Sequence, residues 1–172
     1  MRDLIKRMFG RQQTYKPGPA PPPRVVLTES SIDALSECVD SERRRHHEGI
    51  AYLLGQTDGT TTIVVAAIRP EATTTRGSFS VSAVAMAQVV RTATKAGLQV
   101  VGQVHTHPGE AYHSDGDVEG ARIVYRGFVS IVLPDYGRWL PALDGAACYI
   151  FRGDAGFVEI ALDNIGIVPA RL

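Results

Sequence analysis

His105 and His107 lie two residues apart in QVVGQVHT, a segment that reads as a strand. Side chains at that spacing leave the same face, about 6.6 Å apart along the chain, so both imidazoles can converge on one ion. Asp117 follows ten residues after His107, in the first turn of a helix that Ser114 can cap, and a short loop through Pro108 would return its carboxylate toward the histidines. Two imidazoles and one carboxylate suit Zn²⁺. Three protein ligands leave the fourth tetrahedral position to water, the arrangement of catalytic rather than structural zinc, and water held there ionises near pH ~7. Such a site also needs a carboxylate that is not a ligand, to take the water's proton and deliver it to a leaving amine. Glu48, which begins a different apolar stretch, EGIAYLLGQ, is the candidate.

Each residue also has a plainer reading. A lone His-x-His pair is more often two strand histidines satisfied by hydrogen bonds. Asp117 alone reads as a charge complementing a helix dipole, and Ser114 alone as a cap; their spacing allows capping and catalysis together. Glu110, His113 and Asp115 share the loop but fit the ligand spacing worse, and read as solvated. His46 and His47 precede Glu48 without forming HExxH, so they read as surface residues or supports of the site. Cys38 and Cys148 have no CxxC spacing and no nucleophile signature. That disfavours a thiolate zinc site, a disulfide framework and a thiol protease, and the HxE and PCxxC pair of a zinc deaminase is absent.

The elements that must position these residues follow from periodicity. Residues 24–28 read as a strand, and Ser30 or Ser31 is expected to cap a helix through Ile32, Leu35 and Val39 to about Arg44. Residues 48–56 and 60–68 form the clearest hairpin, turning on Asp58-Gly59. A polar loop follows, with Arg69 to Phe79 expected to guide a substrate. Ser80 or Ser82 then opens a helix closed by Gly97, whose apolar face is expected at Ala83, Ala87, Val90 and Thr94. Residues 99–106 are a buried strand, Ser114 to about Tyr125 a third helix, Phe128 to Leu133 a strand, and residues 146–152 with 157–161 a hairpin around GDAG. A second loop, Asp135 to Ala146, is a further candidate guide. The mixture indicates an α/β sandwich on a mixed sheet.

The 172 residues fit one domain of about 100–200 residues. With 44% hydrophobic and 21% charged residues, the chain can bury a core without disulfides. Lysine plus arginine balance aspartate plus glutamate at 18 each, so no global field recruits nucleic acid or an anionic membrane. No secretory signal is read at the start, no apolar run approaches a membrane span, and the cysteine usage fits the cytoplasm. Residues 1–23 are expected to be a flexible segment with a proline-rich tether, QQTYKPGPAPPPR, and residues 24–172 the folded domain.

Glu48 in EGIAYLLG, HTHP at 105–108 and SDGD at 114–117 together resemble the motif of JAMM (MPN+ or JAB) zinc metallopeptidases, and the order of elements is similar from Val25 to Ala161. The resemblance implies a single JAB/MPN domain, α/β, with a mixed β-sheet flanked by helices in cytidine-deaminase-like layering. It implies one zinc ion on His105, His107 and Asp117, Glu48 as acid/base, and Ser114 stabilising the tetrahedral oxyanion. Such enzymes commonly cut after the terminal glycine of ubiquitin or a ubiquitin-like protein. The implied partners are therefore a ubiquitin-like protein or its conjugate, with an associated activating or conjugating enzyme, as in bacterial JAB isopeptidases, some of them in antiphage defence. Processing of a sulfur-carrier ubiquitin-fold protein is an alternative with identical chemistry. A non-catalytic MPN scaffold is disfavoured by the intact residue set, and a DNA-repair relative by the balanced charge. The loop PGEAYH between His107 and Ser114 is one residue shorter than the family's usual spacing.

Overall fold

The computed structural model describes residues 24–114, 116–117 and 123–169. The expected N-terminal tether, Asp115 and the stretch 118–122 of the expected third helix lie outside the described residues.

The chain opens with strand β1 (Arg24–Thr28) and helix α1 (Glu29–Arg45). Thr28, not Ser30 or Ser31, caps α1: its hydroxyl accepts from the Ser31 amide while the Ser31 hydroxyl donates back to the Thr28 carbonyl. The first bond serves one of the amides that a helix start leaves without a partner. Ile32, Leu35, Val39 and Glu42 recur at helical spacing and are buried. Three arginines in the last turn face the negative end of the helix dipole. His46 then stops the helix in a left-handed conformation, with the His46 and His47 amides closing on Arg43 and Glu42 carbonyls.

Strands β2 (Ile50–Thr57) and β3 (Thr61–Ile68) form the expected hairpin. The expected loop after it is instead a second, smaller hairpin, β4 (Ala72–Thr75) and β5 (Ser78–Val81). Its threonines and serines alternate with half-buried residues, a period-two pattern that polarity alone concealed. Helix α2 (Ala83–Lys95) is capped by Ser82 and buries Ala85, Met86, Val89 and Ala93. The face expected at Ala83, Ala87, Val90 and Thr94 is exposed. Both faces carry small apolar residues, and only the packing against the sheet distinguishes them.

Strands β6 (Gln99–Thr106), β7 (Val129–Leu133), β8 (Ala147–Phe151), β9 (Phe157–Ile160) and β10 (Ile165–Val168) complete the molecule. The main sheet is eight-stranded and mixed, in the order β10-β1-β3-β2-β6-β7-β8-β9. Strand β10, unforeseen in the sequence, pairs in parallel with β1. Its long-range pairing leaves no local signal in a four-residue segment. The central strands β2, β6 and β7 are buried almost throughout, as strands covered on both faces must be.

Two apolar layers flank the sheet. On one side Ile32, Leu35 and Val39 of α1 pack on Ala51, Leu53, Val64 and Val104. On the other Met86 and Val89 of α2 pack on Ile50, Tyr52, Leu54 and Val100. Each fully buried aliphatic side chain contributes about 1.5–3 kcal/mol. Truncating Leu53 or Leu35, both completely enclosed, would cost about 2–5 kcal/mol. Gly102 leaves no room for a side chain beside β7: a Cβ there would lie 2.6 Å from the Val129 carbonyl oxygen.

Candidate metal centre

The register of β2 against β6 pairs Ile50 with His105. Just beyond the strand end, Gly49 donates to the Thr106 hydroxyl at 2.8 Å and accepts from the Thr106 amide at 3.1 Å. These two bonds set Glu48, which precedes β2 rather than opening it, beside His107. Glu48 is 6% exposed. Burial pushes its carboxyl up to about 7, with His107 pulling it down and Asp117 pushing it up.

Strands β6 and β7 run parallel, and the His107 amide extends their pairing by donating to Leu133 at 2.9 Å. Parallel neighbours require a long crossover, and this one carries Ser114 and Asp117. Gly116 and Asp117 are helical, and the Asp117 amide donates to the Ser114 carbonyl at 3.1 Å and to its hydroxyl at 3.2 Å. Ser114 is thus the cap the sequence predicts. The expected extension of this helix to Tyr125 is not found, because Ile123 to Tyr125 have no helical backbone.

Asp117 answers the cap. Its Oδ2 accepts the Ser114 amide at 2.8 Å and the Ser114 hydroxyl at 2.6 Å, a reciprocal capping box. Oδ1 is left 3.2 Å from Nε2 of His105, while Oδ2 is 3.5 Å from Nε2 of His107. Donor atoms of His105, His107 and Asp117 all fall within 4.8 Å of one another. Burial disfavours the Asp117 carboxylate, yet its contacts to His105, His107 and Ser114 together hold it well below the usual range. The Asp117 contact in turn raises the His107 imidazole against the effect of burial.

The donor set fits a metal ion on one specific observation. His105 is completely buried, and among the described residues neither its Nδ1 nor its Nε2 has a hydrogen-bond partner. An unsatisfied buried imidazole costs about 1–3 kcal/mol, so the plain reading of two strand histidines satisfied by hydrogen bonds fails for His105. The 3.2 Å approach to Asp117 lacks hydrogen-bonding alignment. It matches the spacing of about 3.3 Å between neighbouring donors around a tetrahedral ion with bonds of about 2.0–2.1 Å. His105, His107 and Asp117 can therefore hold one divalent cation.

The site opens into a cleft of about 560 Å³, walled by Glu48, Phe79, Gln103, His107, Tyr112 and Asp117. Gln103 shares the face of β6 with His105, which a period-two reading of the strand would have found. Phe79 comes from β5, its ring centroid 5.3 Å from that of His105, and no sequence signal near the motif announces it. His113, expected to be solvated, is instead half-buried: it stacks on Tyr149 at 4.5 Å, and its Nε2 is 3.0 Å from the Ser130 hydroxyl. Burial pushes its imidazole down to about 4, with His105 acting in the same direction. Glu110 is exposed, as is His46, while His47 bonds Thr74. Cys38 and Cys148 are free, and burial raises their thiols to about 11 and about 12. Neither is a reactive thiolate at neutral pH.

The chain is 27% identical over 135 residues, 76% of its length and 82% of the relative's, to probable metalloprotease y4jG of Sinorhizobium fredii. Its fold is similar to the solution structure of protein DSY2949 from Desulfitobacterium hafniense, with a TM-score of 0.58 and 18% identity over 84% of this chain and 92% of that one. Among the described residues no helix is long and apolar enough to cross a membrane. The family described as prokaryotic homologs of the JAB domain matches residues 31–142, which take in Glu48, both histidines, Ser114 and Asp117, and the chain belongs to that family.

Proposed function

We propose that this protein is a zinc-dependent peptidase or isopeptidase that cleaves after the C-terminal tail of a ubiquitin-like protein. The observation that carries the reading is the convergence of His105, His107 and Asp117 on one point of a cleft that Glu48 also lines. The description of the Sinorhizobium relative as a probable metalloprotease supports the same chemistry. Zinc suits the donor set, and when bound it supplies Lewis acidity, activating water and polarising a carbonyl.

The chain's own groups do the rest. Glu48 takes a proton from the attacking water as the water oxygen bonds to the scissile carbonyl carbon. It returns that proton to the amine nitrogen as the C–N bond breaks. Burial raises this carboxyl and so favours its holding the proton between the two transfers. Ser114 holds Asp117 in place and stands in the same cleft, where its hydroxyl can turn toward the developing oxyanion.

Strand β5 supports an extended substrate. Among the described residues it pairs with β4 alone, and its residues 78–81 form one side of the cleft. Its other edge is open to strand addition by a flexible tail, a mode in which main-chain hydrogen bonds supply affinity. The Arg69–Phe79 segment thus guides the tail as a hairpin rather than as a loop.

The test uses the full-length chain with zinc and two substrates: a ubiquitin-fold protein with a peptide extension after its terminal glycines, and the same protein joined to a lysine side chain. Mass spectrometry should show cleavage after the glycines, abolished in Glu48→Ala. Extension trimming without conjugate cleavage would identify precursor processing. Stoichiometric zinc with no cleavage of either substrate would sink the proposal in favour of a scaffold.

A further inference from the structure

We propose that Tyr136 is a positioning residue that latches the β4–β5 hairpin, the wall receiving the substrate tail, to the loop carrying His107. The proposal rests on the peptidase reading of the cleft and adds how its two walls are kept in register.

A two-stranded hairpin outside the main sheet is marginally stable by itself, so β4–β5 depends on its tethers. Besides the apolar packing of Phe79 and Val81, hydrogen bonds hold its turn end. The Glu48 amide donates to the Thr75 carbonyl at 2.8 Å, His47 Nδ1 lies 3.3 Å from the Thr74 hydroxyl, and the Tyr136 phenol donates to the Arg76 carbonyl at 3.0 Å. The first two tie the hairpin to the segment of the acid/base. The third comes from another part of the chain, the turn after β7.

That turn is built to aim Tyr136. Asp135, Tyr136 and Gly137 have φ values of 50°, 58° and 74°, three consecutive left-handed residues of which only the last is glycine. Side-chain-bearing residues adopt this conformation at a cost, and it persists where surrounding contacts over-determine it. Here the contacts are to the metal loop: the Tyr136 amide donates to the His107 carbonyl at 2.8 Å and the Asp135 amide to the Gly109 carbonyl at 3.1 Å. The Tyr136 ring also stacks on His46, centroids 5.7 Å apart. One residue therefore grips a metal ligand's backbone with its N–H and the substrate hairpin with its phenol. Relaxed, the hairpin would lose its fixed distance from the reacting centre, and an extended substrate would bind less well while the chemistry at the metal stayed intact.

Tyr136→Phe removes only the phenol oxygen and keeps the ring stack and the backbone bonds. In the full-length zinc-loaded chain, we expect hydrogen exchange of amides in residues 72–81 to quicken about 3- to 10-fold, with other segments unchanged. An internally quenched peptide long enough to run along β5 should show a KM raised by about the same factor and kcat within about twofold, while a peptide truncated to the residues around the scissile bond is unaffected. Unchanged exchange in Tyr136→Phe, or an equal fall in kcat on both peptides, would overturn the latch. If the wild type cleaves neither peptide, the peptidase reading fails while the exchange measurement still decides the latch.

Discussion

Ser114 and Asp117 hold each other through four hydrogen bonds, and the two that end on Asp117 Oδ2 leave Oδ1 facing His105. A helix cap thereby orients a carboxylate that can hold a metal, which binds the local fold of the crossover to the geometry of the site.

Asp117→Asn should abolish stoichiometric metal binding. The amide keeps the shape of the side chain but loses the charge beside His105 and His107, and removing one of three protein ligands leaves two neutral imidazoles. Metal analysis after gel filtration is expected to show about one zinc per wild-type chain and close to none for the variant. Equal contents would place the metal elsewhere.

Ser114→Ala separates positioning from oxyanion stabilisation. The hydroxyl donates to Asp117 at 2.6 Å in this structure, so its loss should weaken zinc affinity by about 10- to 100-fold, as for other supports of metal ligands. Competition with a chromophoric chelator measures this. Unchanged affinity with a fall in kcat would assign the hydroxyl to the oxyanion alone.

Glu48→Gln should retain zinc and lose about 10²- to 10⁴-fold in kcat. The base must be ionised to act, so wild-type kcat/KM should rise with pH through the Glu48 carboxyl. Its value of about 7 is set by burial without a cation, and a cation nearby favours the charged form. The acid limb is therefore expected at or below about pH 7. In the metal-free protein the same raised value gives stability present below the ordinary carboxyl range and lost as pH rises through about 7.

His113 predicts the opposite slope. Its folded value, about 4, lies below the ordinary 6.5, so the native state binds fewer protons than the unfolded chain. Its contribution is present above about pH 6.5 and lost as pH falls through about 4. His113→Phe keeps the ring packing against Tyr149 and Phe157 but cannot charge. Urea unfolding of both metal-free proteins at several pH values should show the wild type losing ground to the variant on acidification; parallel curves would contradict the buried neutral imidazole.

That His105, His107 and Asp117 come together beside Glu48 was legible in the sequence because their approach depends largely on short-range geometry. Alternation along β6 and the residue just past its end puts His105 and His107 on one face, the i,i+3 spacing lets Ser114 cap the turn at Asp117, and Glu48 stands at the edge of an apolar stretch that became a central strand. The β2–β3 hairpin and Ser82's cap were visible for the same reason. The buried face of α2 was not, because Ala83, Ala87 and Val90 are as apolar as Ala85, Val89 and Ala93, and periodicity cannot choose between two small-residue stripes.

What only the tertiary structure decided depends on contacts between distant segments. The pairing of β10 with β1, the burial of His113 against Tyr149 and Ser130, and the bridge from Tyr136 to Arg76 all join residues far apart in the chain. Motif spacing records which atoms can meet an ion, since backbone geometry fixes those distances locally. The shape of the cleft around them is set by long-range packing, in which many residue types satisfy the same contact.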